Sequence, residues 1–251
     1  MLKDFIIALQ AYRKAHLFIQ KYKLWKWIIL PGLFYCILFL VGMYFFGNTA
    51  NSFIEWLKGF LINSLNKVNS SFLNFVVTLS GIMIWVILML LYFSFFKYFF
   101  LIVGSPIFAY LSEKTASIIE GKDYPFNFSQ ILKDIVRGIR ISLRNALWQT
   151  VYLFSILIIG MIPLVGWFVP VLALLIECYY YGFSMLDYSM ERNKKSVFES
   201  VNYIGVHKGL AIGNGFVFYT MHLLPVIGWV LAPAYAVIAA TLSIYDLKEK
   251  S

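Results

Sequence analysis

The sequence predicts an all-α integral membrane protein, and three observations carry that expectation. The first is composition. Of 251 residues, 61% are hydrophobic and 13% charged, with a mean hydropathy of +0.77. That charged share is about half that of a soluble domain. A soluble fold of this length has no interior able to hide so much apolar surface, so its solvent is lipid. The second is a pair of long apolar runs, 27–46 without any charge and 72–103 with only Lys97 near one end. The third is a motif that occurs twice. Pro163-Leu-Val-Gly166-Trp167-Phe-Val-Pro170 returns as Pro225-Val-Ile-Gly228-Trp229-Val-Leu-Ala-Pro233. Each copy breaks an apolar helix with no charge at the break. A turn that met water would be polar. An apolar turn instead fits a hairpin tip at membrane depth, where bare backbone is tolerated only under other protein or beside a water-filled cavity.

Residues 2–22 read as an amphipathic helix, with Phe5, Ile6, Leu9, Tyr12, His16 and Ile19 at helical spacing. It suits either the membrane interface or a place covering one end of a bundle. Residues 27–46 are the first full span and 72–104 the second. Between them, 47–71 is a polar stretch with a short amphipathic piece. Ser105-Pro106 is expected to end the second span and 107–123 to form a polar connector. Residues 129–146 read as a separate basic amphipathic helix. Lys133, Arg137, Arg140 and Arg144 make one stripe on it, and Ile131, Ile135, Ile139 and Leu143 the other. Hairpin 1 then covers 147–189 and hairpin 2 covers 209–246. The first arm of each is about 16 residues, or about 24 Å, short of an apolar core about 30 Å thick. Both hairpins are therefore expected to penetrate half-way, within one membrane domain over 1–251.

Charge orients the chain. Lys3, Arg13, Lys14, Lys21, Lys23 and Lys26 precede the first span, against Lys58 and Lys67 before the second. The excess of basic residues on cytoplasmic loops then puts both termini in the cytoplasm. The same rule accounts for 21 Lys and Arg against 12 Asp and Glu without any nucleic-acid partner. Cys36 and Cys178 both lie in apolar segments, a poor setting for a disulfide. His16, His207 and His222 are scattered with no zinc spacing, so no metal or other cofactor is expected. The first residues do not form a cleavable signal. No paired-aspartate, Ser-Lys or H-E-x-x-H arrangement points to an intramembrane enzyme, and no phosphate loop points to ATP hydrolysis.

Four segments resemble a known family, the CysZ-type sulfate permeases within the wider etoposide-induced-protein (EI24-domain) family. Leu24-Trp-Lys26-Trp27-Ile-Ile-Leu-Pro31 is similar to the family's lead into its first span. Pro106 with Leu111-Ser-Glu113-Lys114 is similar to its proline-led segment. Phe183-Ser-Met-Leu-Asp187-Tyr188 matches its aspartate-tyrosine pattern. His207-Lys-Gly209 to Gly213, Pro225, and Pro233 through Ala240-Thr241 match its closing block. The resemblance implies two full spans with two half-penetrating hairpins and a homo-oligomer in the bacterial cytoplasmic membrane. It implies passive inward movement of sulfate or a similar oxyanion, feeding sulfur assimilation. It also implies an anion site at the start of the first span, here Lys23, Trp25, Lys26 and Gly32. The chain departs from the family there, because a Gly-Leu-Arg-Arg element reads Lys23-Leu24-Trp25-Lys26. An ammonium holds an oxyanion as a point charge and lacks the two-pronged fork of a guanidinium. The preferred anion is thus left open.

Other candidate residues have two readings each. The stripe Lys133, Arg137, Arg140 and Arg144 is either a positive vestibule that concentrates anions or a contact for anionic lipid headgroups. Glu113 and Asp187 either pair with those arginines or gate the path. Pro163, Gly166, Trp167, Pro225, Gly228 and Trp229 form the hairpin tips, and Gly209, Gly213 and Gly215 read as close helix packing. Membrane lipids are partners on every reading. The alternative to transport is a membrane scaffold or assembly factor with no transported substrate.

Overall fold

The computed structural model describes residues 1–64, 71–122, 128–160, 162, 165–192, 195–224 and 226–249. Among these, eight α-helices follow one another: α1 (Leu2–Lys21), α2 (Trp25–Ser64), α3 (Ser71–Glu120), α4 (Phe128–Ile159), α5 (Val169–Arg192), α6 (Val197–Val206), α7 (Lys208–His222) and α8 (Ile227–Glu249). A short 3-10 turn, Val165–Phe168, precedes α5. The chain is an all-α membrane protein. Three stretches among the described residues are long and apolar enough to cross a bilayer: Trp25–Leu57, Gly166–Glu191 and Ile227–Lys248.

The helices divide into two compact units. One comprises Met1–Cys36 and Phe100–Ser251, the other Ile37–Phe99. In the larger unit α5, α7, α8 and α1 pack on one another, and α4 lies against α5. The closeness of these helices comes from missing side chains. A Cβ on Gly182 would sit 1.9 Å from the Ala211 carbonyl oxygen, and one on Gly215 would sit 1.9 Å from that of Cys178. Both glycines therefore let α5 and α7 touch backbone to backbone. On the other side of α7, Gly213 faces Ala8 and the Phe5 carbonyl of α1. The glycine run expected to serve packing does so. Polar ties lock the same crossing. The Tyr12 hydroxyl donates to the Asn214 carbonyl at 2.8 Å, and the Asn214 amide donates to the Ala236 carbonyl at 2.9 Å.

The smaller unit is held by aromatic rings. The Tyr92 hydroxyl donates to the Phe39 carbonyl at 3.1 Å and occupies the space that Gly42 leaves open. Phe96 meets Phe39 edge to face at 5.1 Å, and Phe46 stacks on Tyr92 at 4.8 Å.

Four expectations about element boundaries change. First, the polar stretch after residue 46 is helical as far as Ser64, where α2 ends, and residues 65–70 lie outside the described residues. Its hydroxyls turn inward to the helix itself: Thr49 donates to the Phe45 carbonyl and Ser52 to that of Asn48, both at 2.9 Å. Loss of hydropathy is not loss of helix when no proline or cap intervenes. Second, Ser105-Pro106 does not end α3, which continues through the expected connector to Glu120. Pro106 removes the N–H that the Ile102 carbonyl needs. The Ser105 hydroxyl supplies a donor to that same carbonyl at 2.8 Å. Third, the basic helix 129–146 and the first arm of hairpin 1 are one helix, α4, of 32 residues. No Pro or Gly lies between 139 and 159, so only composition changes along it. The whole of α4 is thus about 48 Å long, and the apolar arm is the part of it after residue 146. In hairpin 2 the first arm, α7, has 15 residues, about 22 Å. Fourth, the face α1 buries is rotated from the expected one. Ile7, Ala8, Ala11, Tyr12, Ala15 and Ile19 are buried, while Ile6 and His16 are exposed. Small alanines permit the close approach to α7 that the larger residues of the other face would prevent.

Candidate functional site

The residues expected to meet an anion begin where α1 ends. Lys23 adopts φ 54°, the left-handed conformation that favours glycine. The N–H of Leu24 bonds the Ile19 carbonyl at 3.1 Å, and the N–H of Lys23 bonds that of Gln20 at 3.4 Å. This pair of reversed bonds is the glycine-type helix end, with Ile19 and Leu24 buried together as its apolar contact. The conformation explains why a glycine suits this place and shows that a lysine takes it at a cost. The turn leads straight into α2, so Lys23 and Lys26 are exposed beside the helix start and Trp25 is half-buried. The N–H of Trp27 there bonds the Leu24 carbonyl at 3.0 Å, and the helix dipole favours negative charge at this end.

Gly32 does not join them. It lies about 9 Å farther along α2 and is buried, with the Val230 carbonyl oxygen of α8 only 2.2 Å from where its Cβ would be. Gly32, expected among the anion-binding residues, packs against α8.

The basic stripe of α4 divides into different roles. The Arg137 Nε donates to Asp187 Oδ2 at 3.0 Å and Nη2 to Oδ1 at 2.7 Å. Nη2 also meets the Ser200 hydroxyl at 2.7 Å, and Nη1 the Lys195 carbonyl at 2.5 Å. Glu191 adds a longer ion pair at 3.9 Å. Arg137 thus pins the start of α6 to α4 and α5. Arg144 donates to the Asn145 side chain at 2.9 Å and lies over the Phe183 ring. Lys133 and Arg140 remain exposed. Glu113 is half-buried on α3. The aspartate-tyrosine pattern is a double tie: Asp187 holds α4, and the buried Tyr188 hydroxyl donates to the Leu101 carbonyl of α3 at 3.0 Å.

Helix α6 starts with a reciprocal cap. Glu199 N–H donates to the Ser196 hydroxyl at 3.2 Å, and Ser196 N–H to the Glu199 carboxylate at 2.7 Å. The Ser196 N–H, then its hydroxyl, then Lys195 hold the Glu199 carboxyl below the usual carboxylate range.

The two hairpin tips differ despite their repeated motif. Trp229 folds back, donating its indole N–H to the His222 carbonyl at 3.2 Å, whereas Trp167 is 86% exposed. Gly228 is closed in by the Met221 carbonyl, 1.9 Å from a Cβ there. The left-handed residue of this tip is Val226, at φ 62°. Gly166 faces the Gly160 carbonyl. Pro163 and Pro225 lie outside the described residues.

Two polar clusters inside the larger unit were not foreseen. Glu177 of α5 accepts from the Gln149 amide of α4 and, at 2.8 Å, from the Tyr219 hydroxyl of α7. It lies deep inside the apolar stretch 166–191, ten residues before the next acid, Asp187, and that was its visible signal in the sequence. Ser112, Ser189 and Thr241 form a buried triangle of hydroxyls at 2.8–3.1 Å joining α3, α5 and α8. Nothing in sequence spacing marks that triangle, since its members are far apart in the chain. Among the described residues no group of His, Cys, Asp and Glu is placed to hold a metal ion, and Cys36 and Cys178 are free thiols.

The sequence profile of the family described as "Sulfate transporter CysZ/Etoposide-induced protein 2.4" matches residues 11–233. The chain belongs to this family. Proteins called sulfate transporter CysZ are among its relatives. One from Pseudomonas aeruginosa (strain LESB58) is 26% identical over 225 residues, 86% of this chain and 89% of that protein. One from Pseudomonas fluorescens is 25% identical over 143 residues, 56% of this chain and 57% of that protein. The match with the latter thus covers little more than half its length. The names of these relatives are those of transporters. The matched span takes in the Lys23 turn, the Arg137–Asp187 tie and both hairpin tips.

Proposed function

We propose that this chain is a passive permease for sulfate or a similar oxyanion, acting in the bacterial cytoplasmic membrane and supplying sulfur assimilation. The observation that carries the reading is family membership across residues 11–233, together with a relative called a sulfate transporter that is matched over 89% of its length. In this reading both termini are cytoplasmic, the protein works as a homo-oligomer, and it catalyses no reaction. Lys23 and Lys26 draw the anion to the start of α2, and the first N–H groups of that helix meet it. Arg137 is committed to its ion pair, so it shapes the basic end and does not receive the anion. Hairpin 2, with its short first arm, enters the bilayer part-way. The scaffold alternative gains no observation of its own.

The test is labelled-sulfate uptake into proteoliposomes, against empty vesicles and Lys26→Ala. Saturable uptake that falls about tenfold with Lys26→Ala, a loss typical of one charged contact, supports the permease and its site. Uptake unaffected by the change moves the site elsewhere. No uptake by folded protein removes sulfate as the substrate.

A further inference from the structure

A groove of about 650 Å³ runs between the N-terminal half of α4 and the start of α6, beyond the end of the apolar stretch Gly166–Glu191. Four cations line it: Lys133, Arg137, Arg140 and Lys195. Two carboxylates line it as well. Glu191 lies 3.9 Å from Arg137, which Asp187 already holds, and Glu199 pairs with Lys195 at 3.3 Å. Lys133 and Arg140 have no carboxylate partner among the described residues. The groove therefore keeps positive charge after its internal pairs are formed.

Its walls are also apolar in a way that a site for a free ion does not need. Leu132 and Val136 line it and are about half exposed, at 50% and 60%. On the α6 side Val197 lines it, and the neighbouring Phe198 is 80% exposed. The same face of α4 continues past residue 144 as exposed Leu147, Trp148 and Val151, which only lipid can cover. Arg140 and Lys133 precede Leu147 by about two and about four turns, so they stand outside that apolar surface, on its headgroup side.

We infer that this groove is a binding site for one anionic glycerophospholipid, with Lys133 and Arg140 at its phosphate and the start of its acyl chains against Leu132, Val136 and Val197. Charge complementarity selects an anionic headgroup over a zwitterionic one. The adjoining apolar wall selects a lipid over a free oxyanion. Arg137 builds the site by drawing Lys195 and Ser200 toward α4, and does not itself bind the headgroup. The lipid fastens α6 to the bundle at the membrane surface. This inference rests on the membrane fold alone, not on sulfate as the transported anion.

The experiment melts purified protein in a neutral detergent with added phosphatidylglycerol, phosphatidylcholine or sodium sulfate at matched ionic strength. Phosphatidylglycerol is expected to raise the melting temperature by about 5 °C through preferential binding to the folded state. Phosphatidylcholine and sulfate are expected to do little. Lys133→Gln/Arg140→Gln should lose most of that increment with an unchanged melting temperature in detergent alone. Both side chains are exposed; should the double variant nevertheless misfold, the two single variants report the same loss in part. Native mass spectrometry of the wild type should count one retained phosphatidylglycerol. Equal effects of the two lipids, or a full increment in the double variant, overturn the site. Sulfate stabilising as well as phosphatidylglycerol, and lost in the same variant, overturns the lipid and gives the groove to the free anion. None of these readouts uses uptake, so a failed transport assay and a failed lipid assay are distinct results.

Discussion

Arg137 on α4 and Asp187 on α5 meet in a two-bonded ion pair, Nε to Oδ2 at 3.0 Å and Nη2 to Oδ1 at 2.7 Å. Both side chains are largely withdrawn from solvent, with 12% and 4% exposed. Removing one partner strands the other charge, which costs about 3 kcal/mol or more at such a site. Arg137→Ala and Asp187→Asn should each lower the melting temperature sharply in detergent. The double variant Arg137→Ala/Asp187→Asn should lose at least about 1 kcal/mol less than the sum of the two. Additive losses would show that the pair is not coupled.

The Ser105 hydroxyl repairs a proline break. Ser105 is fully buried, and Gly138 of α4 packs directly against it. Ser105→Ala should leave the Ile102 carbonyl without that donor and cost about 1–2 kcal/mol. Ser105→Thr keeps the hydroxyl but adds a methyl toward Gly138, and should be tolerated less well than Ser105→Cys. Thermal melts of the three variants check the order.

Lys23 holds a glycine conformation with a charged side chain. Lys23→Gly should stabilise the folded protein by about 1 kcal/mol, because left-handed backbone costs a non-glycine residue about that much. The same change should reduce anion uptake, since it removes one of the two charges at the start of α2. A rise in melting temperature with a fall in uptake separates strain from recognition at one position. Lys23→Ala should lower uptake without the gain in stability.

Glu199 gives α6 a dependence on pH. Its folded carboxyl lies below the ordinary carboxylate range through the Ser196 N–H and hydroxyl and through Lys195. The folded state thus binds a proton less tightly than the unfolded one. The stability this cap adds is present at neutral pH and is lost as pH falls below about 4.3 and through the lowered folded value. Hydrogen exchange of the α6 amides, corrected for intrinsic rates, should show protection at pH 7 and fraying near pH 3. Glu199→Gln should fray at both.

Composition and the long apolar runs determined that this is a helical membrane protein, because only lipid can solvate that much apolar surface. Local chemistry also announced the glycine packing of α7, and it offered the pairing of Asp187 with the arginine stripe as one of two readings. Helix ends were misread wherever hydropathy changed without a backbone break, as between 144 and 147 of α4, or where a break was repaired, as at Pro106. Tertiary structure alone decided which face α1 buries, since an alanine face and a larger apolar face fit the same helical period and only the approach of Gly213 chooses between them. It alone separated Trp229 from Trp167 within one repeated motif. It also brought Glu177 to Gln149 and Tyr219, and Ser112 to Ser189 and Thr241. Those contacts join residues from 28 to 129 positions apart. No local period records them, because helix crossing, set by where glycines let backbones touch, is what brings such residues together.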